Sequence, residues 1–153
     1  MPGLSGSRSR RSRKSSGTPE LPEVFIDRSL GSDGIAEALR ACGYTVHTMR
    51  EVYGEPTAQK LADARWLKKC GKEGWVVFSK DKALRKRGTE EHRAVLKYEI
   101  RGFILPDQQM KEADQIKRYV DNCHRIAQRS KKRGPYLYPV IEKGLGKDYL
   151  ADE

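Results

Sequence analysis

No two cysteines are spaced as CxxC. Cys42, Cys70 and Cys123 lie far apart and have no histidine at metal-ligand spacing beyond the adjacent His124, which argues against a structural zinc site. Each falls on an apolar helical stripe, where a reduced thiol behaves as a small hydrophobe, as suits a reducing cytosol. No apolar run approaches the roughly 18 residues a membrane span requires, and none follows the basic N-terminus as a secretory signal would need. Neither GxGxxG nor a GxxxxGKS/T loop occurs, which disfavours nucleotide binding. Acids are also short: 21 Asp and Glu stand against 31 Lys and Arg, for a net charge of +10. A soluble, cytoplasmic protein with polyanionic partners is expected, nucleic acid ahead of a membrane surface because no amphipathic anchor is present.

What is present reads as one domain behind a basic arm. Residues 1–20 are Ser, Gly, Arg and Pro with almost no apolar content, too little to offset the entropy of ordering, and are expected to be disordered. Residues 21–153 alternate short strands with amphipathic helices. "PEVFID", "YTVHTM", "WVVFS" and "GFILP" read as strands, and the alternation of Tyr136, Tyr138 and Val140 adds a final strand or hairpin with Lys143 and Gly144 near its turn. Helices are predicted over "GIAEALRACG", over "QKLADARWLKKCGKEG", over "EEHRAVLKYE" behind a Thr89 cap, and from residue 109 to about 130. Strands joined by helices imply right-handed crossovers and an α/β three-layer sandwich, with a mostly parallel central sheet of four or five strands and helices on both faces. Ligands of such sheets bind outside the carboxyl ends of the strands.

Three acids point to that edge. Asp27 ends the first strand, Asp81 lies just past the third, and Asp63 sits three, four and seven residues before Trp66, Leu67 and Cys70, on the inward stripe of its helix. Singly, each also reads as a cap or turn residue, and Asp63 as a first-turn acid facing the helix dipole. Together they are hard oxygen ligands suited to Mg²⁺ or Mn²⁺, an ion that removes the repulsion among clustered carboxylates and can act on a phosphoryl group. Glu51 and Glu55 are further candidate ligands, whereas Asp107 reads more simply as an N-cap. The stretch "SKDKALRKRG" surrounds Asp81 with Lys80, Lys82, Arg85, Lys86 and Arg87, and Arg28 follows Asp27; cations beside a metal site would hold a phosphate backbone.

"VFIDRSLG" followed by "DARWLKKCGKEGWVVFSKD" resembles the PIN-like ribonuclease domain, in particular its VapC-type toxin branch, over about residues 22 to 105. In that family an Asp ends the first strand, another opens a helix leading through a Gly turn into an apolar strand, and that strand ends in a Ser/Thr-x-acid element. Asp27, Asp63 and Ser79-Lys80-Asp81 occupy those places in order. The resemblance implies a Mg²⁺- or Mn²⁺-dependent endoribonuclease with Asp27, Asp63 and Asp81 as catalytic ligands and Ser79 orienting Asp81. It also implies RNA as substrate, a cognate antitoxin as partner and a second copy of the chain as a candidate partner. Many members carry a further Glu on a helix between the first two acids and another Asp a few residues after the Ser/Thr element, whereas three positions after Asp81 this chain has Leu84; Glu51 or Glu55 would then supply the missing charge. The alternative is a non-catalytic nucleic-acid-binding module on a degenerate PIN-like fold.

Overall fold

The computed structural model describes residues 20–30 and 33–151, so the arm assigned to residues 1–20 lies outside the described residues except for Glu20. Strands β1 (Glu23–Ile26), β2 (Thr45–Thr48), β3 (Val76–Ser79), β4 (Arg101–Ile104), β5 (Tyr136–Ile141) and β6 (Gly144–Leu145) form one sheet in the order β2-β1-β3-β4-β5-β6. The first five run parallel and β6 folds back on β5 as a two-residue antiparallel hairpin strand. The mostly parallel sheet read from the sequence is present.

Period-two alternation sends successive side chains to opposite faces, and two cores result. Val24, Ile26, Val76, Phe78, Phe103, Tyr136, Tyr138 and Val140 pack with Ile35 and Leu39 of α1 (Asp33–Ala41), Tyr119 of α6 (Glu112–Asp121) and Ile126 of α7 (Cys123–Arg129). Phe25, Val77, Ile104 and Leu137 pack on the other face. Their partners are Met49 of α2 (Met49–Tyr53), Ala58 of α3 (Thr57–Lys60), Trp66, Leu67 and Cys70 of α4 (Asp63–Glu73), and Val95 of α5 (Glu90–Lys97). Both faces are therefore dry, as a parallel sheet requires. No helix among the described residues is long and apolar enough to cross a membrane.

Helix boundaries depart from the sequence reading in three places. The helix expected over "QKLADARWLKKCGKEG" is interrupted: Leu61 and Ala62 are extended at ψ 132° and 141°, so Asp63 opens α4. The stretch "REVYGEPTA" that carries Glu51 and Glu55, over which no helix is predicted, starts inside α2, whose first turn is closed by a reciprocal capping box between Thr48 and Glu51. The long helix after residue 109 breaks at buried Asn122. Its amide donates to the carbonyls of Arg118 and Ile141 and accepts from the Gly144 N–H, each at 2.8 to 2.9 Å, and so anchors the β5–β6 hairpin.

Connectivity locates the crevice. From β1 the chain moves one way to β2, then returns past β1 through α2, α3 and α4 to β3 and continues away through β4 and β5. Direction reverses between β1 and β3, where open α/β sheets bind their ligands.

Candidate active site

Asp27 follows the last residue of β1, and its N–H makes a 3.3 Å bond to the Phe78 carbonyl of β3. Only 3 % of the residue is exposed. The Ser29 N–H donates to Asp27 Oδ1 at 2.8 Å, the turn that an Asp makes with the residue two places on. The Ser29 hydroxyl donates to the same oxygen and the Ser79 hydroxyl to Oδ2. Burial disfavours the charged form and is the largest influence on the Asp27 carboxyl; the serine bonds oppose it, the Asp81 charge adds to it, and the pKa is raised to about 6.

Asp81 stands two residues past β3 and caps a 3₁₀ turn over Lys82–Leu84, its Oδ1 accepting from the Ala83 N–H at 2.9 Å. The Asp81 N–H donates to Ser79 Oγ at 3.0 Å. Ser79, fully buried, thus touches both acids: it bonds the Asp27 carboxylate through its hydroxyl and Asp81 through the main chain, not through the Asp81 carboxylate. Ser29 closes the arrangement, lying 3.3 Å from Ser79 Oγ and accepting from the Lys80 N–H at 3.1 Å. Ser29 escaped the sequence reading, although the Asp-x-Ser spacing of a turn was there to find it.

Asp63 is placed differently. Its Oδ1 accepts from Arg28 at 3.0 Å and from the Trp66 indole N–H at 2.8 Å. Arg28 also donates to the carbonyls of Ala58 and Leu61 at 2.9 and 2.8 Å, which clamps the α3–α4 junction against the end of β1. The structure therefore brings Asp27 and Asp81 together and leaves Asp63 in an ion pair with Arg28. Among the described residues no three His, Cys, Asp or Glu side chains are gathered closely enough to hold a metal ion.

The remaining candidates divide. Glu51 is taken up by Arg40 at 2.6 Å and by the capping box, and the Arg40 guanidinium holds its carboxyl below the ordinary value. Glu55 lines a cleft of about 110 Å³ together with Asp27, Arg28, Asp33, Arg50 and Gln59; Arg50 bridges Asp33 at 2.9 Å and Glu55 at 3.4 Å across it. Asp107 caps a turn through the Gln109 N–H at 2.8 Å. Of the cations, Lys80 donates to the Gln108 carbonyl and Arg85 stacks 4.2 Å over the Tyr149 ring. Lys82, Lys86 and Arg87 are exposed beyond Asp81.

A family model described as a PIN like domain matches residues 22–107, which include Asp27, Asp63 and Asp81. The chain belongs to the PIN-like domain family. A curated protein of Mycobacterium tuberculosis (strain ATCC 25618 / H37Rv), named "Putative ribonuclease VapC45", is 36% identical over 121 residues, covering 79% of this chain and 87% of that protein. No solved structure matches. The VapC-type likeness read from the sequence thus has a curated relative behind it.

Asp27 and Asp81 are hard oxygen donors of the type that Mg²⁺ takes. Asp27 lines the open cleft, the like charge of Asp81 reaches it, and both serine hydroxyls can rotate to give up the carboxylate. Mg²⁺ is commonly held by one or two carboxylates with water and phosphate oxygens. One prediction follows from the serine shell. Ser29→Ala removes the hydroxyl bond that favours the charged carboxylate, so the Asp27 pKa should rise further above 6, and a carboxyl NMR titration of chelated protein should show it; an unchanged or lower value contradicts the assigned geometry.

Proposed function

We propose that the protein is a metal-dependent endoribonuclease of the cytoplasm, the toxin of a toxin–antitoxin pair, which hydrolyses RNA phosphodiesters at the carboxyl ends of β1 and β3. The observation that carries this reading is the pairing of Asp27 with Asp81 across the reversal point of the sheet through a shared serine, in a PIN-like chain with a curated relative named as a ribonuclease. Asp27 and Asp81 would hold Mg²⁺ or Mn²⁺, with Asp63 as the third acid, since Arg28 and Trp66 both bond its Oδ1 and leave Oδ2 to other partners. When bound, such an ion supplies Lewis acidity and positive charge at the phosphoryl group. The chain's own residues do the rest. The Ser29 N–H keeps the Asp27 carboxylate in place once the hydroxyls turn away, the dry sheet excludes water from its inner side, and Lys82, Lys86 and Arg87 offer charge to the flanking phosphates. A cognate antitoxin would cover this acidic edge.

With Mg²⁺ or Mn²⁺ the purified protein is expected to cut single-stranded RNA, and a chelator to stop it. RNA left intact with either ion overturns the proposal. One observation favours a second reading, a nucleic-acid-binding module without catalysis: Asp63 is engaged by Arg28 rather than gathered with the other two acids. That module would bind RNA with steep salt dependence, indifferent to divalent ions.

A further inference from the structure

Among the described residues several surface cations are held in ion pairs. Arg40 pairs with Glu37 and Glu51, Arg50 with Asp33 and Glu55, Lys117 with Asp121, and Arg133 with Glu99. A groove of about 370 Å³ between α7 and the β5–β6 hairpin is different. Arg125, Arg129 and Lys143 line it with Gln128, and among the described residues no acid does. Among the described residues none of these three cations makes an ion pair.

The fold places them deliberately enough to act together. Arg129 lies 4.5 Å over the Tyr138 ring, a stack that holds its planar fork steady. The Arg125 side chain runs across Gly144, where a Cβ would meet its Nε at 3.6 Å, and Asn122 pins that hairpin to the helix. Lys143 belongs to the turn that leaves the carboxyl end of β5, the same edge as Asp27 and Asp81. Two strand spacings separate β5 from β3, about 10 Å.

We infer that this groove is a second RNA-binding site, taking backbone phosphates of the strand whose scissile linkage lies at the acids. The inference rests on the proposed ribonuclease function and extends it to the flank of the substrate. Among the described residues Leu145 is the only apolar side chain lining the groove, whereas a docked protein would need a buried apolar or aromatic anchor. Three unpaired cations with no acid suit a polyanion.

Binding of a fluorescent single-stranded RNA by the full chain, followed against salt in chelator, tests this. The triple variant Arg125→Gln, Arg129→Gln, Lys143→Gln should lower the slope of log affinity on log salt by about 2, from three phosphate contacts at about 0.7 each. The triple exchange Arg125→Lys, Arg129→Lys, Lys143→Arg should retain most of the slope, which separates lost charge from a damaged fold. With divalent ion, cleavage of a long RNA should fall in the glutamine variant while a short oligonucleotide confined to the acids is cut at the parent rate. An unchanged slope overturns the inference and leaves the ribonuclease reading standing. A lowered slope in a protein that cuts no RNA keeps the groove and removes that reading. Loss of affinity for an acidic protein partner, with RNA binding intact, also overturns it.

Discussion

Asp27→Asn is expected to abolish RNA cleavage and at the same time to make the protein harder to unfold. The carboxylate is buried at the end of β1, and burial with the nearby Asp81 charge raises its pKa from 3.8 to about 6. A rise of that size corresponds to roughly 3 kcal/mol of bias against the charged form at neutral pH. The folded state takes up the proton before the unfolded chain does. This stabilisation is therefore complete below about pH 4 and is lost as the pH rises through about 6. Asparagine has nearly the same shape, still accepts from the Ser29 N–H and carries no charge, so the variant should gain about 2 kcal/mol at pH 7 in chelator. Urea unfolding at pH 4 and pH 7 measures the difference: parent and variant should converge at the acid end and diverge at the neutral end. Cleavage should fall at least about a hundredfold, the scale on which preorganised electrostatic groups act. A variant that is destabilised at pH 7, or that cuts RNA at the parent rate, contradicts the assignment of Asp27.

The strands were legible because their alternation is strict: Val24 and Ile26 against Phe25, and Tyr136, Tyr138 and Val140 against Leu137, sort without ambiguity onto two cores. Thr89 and Gly74, a hydroxyl before one helix and a left-handed residue after another, also marked real helix ends. Legibility failed where a break has no local marker. Neither Leu61 nor Ala62 is a helix breaker. The interruption there is supported by Arg28, thirty-three residues away from Leu61, which takes the carbonyls of Ala58 and Leu61, a tertiary contact no spacing announces. At Asn122 the helix breaks for a similar reason, since that amide serves a hairpin some twenty residues on. Glu51 is the opposite case. Thr48 and Glu51 form a Thr-x-x-Glu capping box that could have been seen before the fold, and it accounts for that acid without a metal. The meeting of Asp27 and Asp81 was therefore readable as a place, the carboxyl ends of β1 and β3, and less so as a partnership of side chains.

Asp63→Asn is expected to separate the two readings of that residue. The side-chain oxygen of asparagine can accept the same bonds that Arg28 and Trp66 make to Oδ1, so the clamp on the α3–α4 junction survives and only a partly exposed ion pair is lost. Such pairs contribute about 1 kcal/mol or less, and the unfolding midpoint should hardly move. Asp63→Ala, by contrast, leaves the indole N–H without its acceptor and the guanidinium with the Ala58 and Leu61 carbonyls alone, and should cost about 2 kcal/mol. If Asp63 serves the reaction, the asparagine variant, folded as the parent, should cut RNA about a hundredfold more slowly, with the loss in kcat and little change in RNA affinity. Parent-like cleavage by that variant would make the carboxylate a structural partner of Arg28 and confine the reacting centre to Asp27 and Asp81. The conservative exchange decides, because it changes the charge at Oδ2 while holding the geometry at Oδ1.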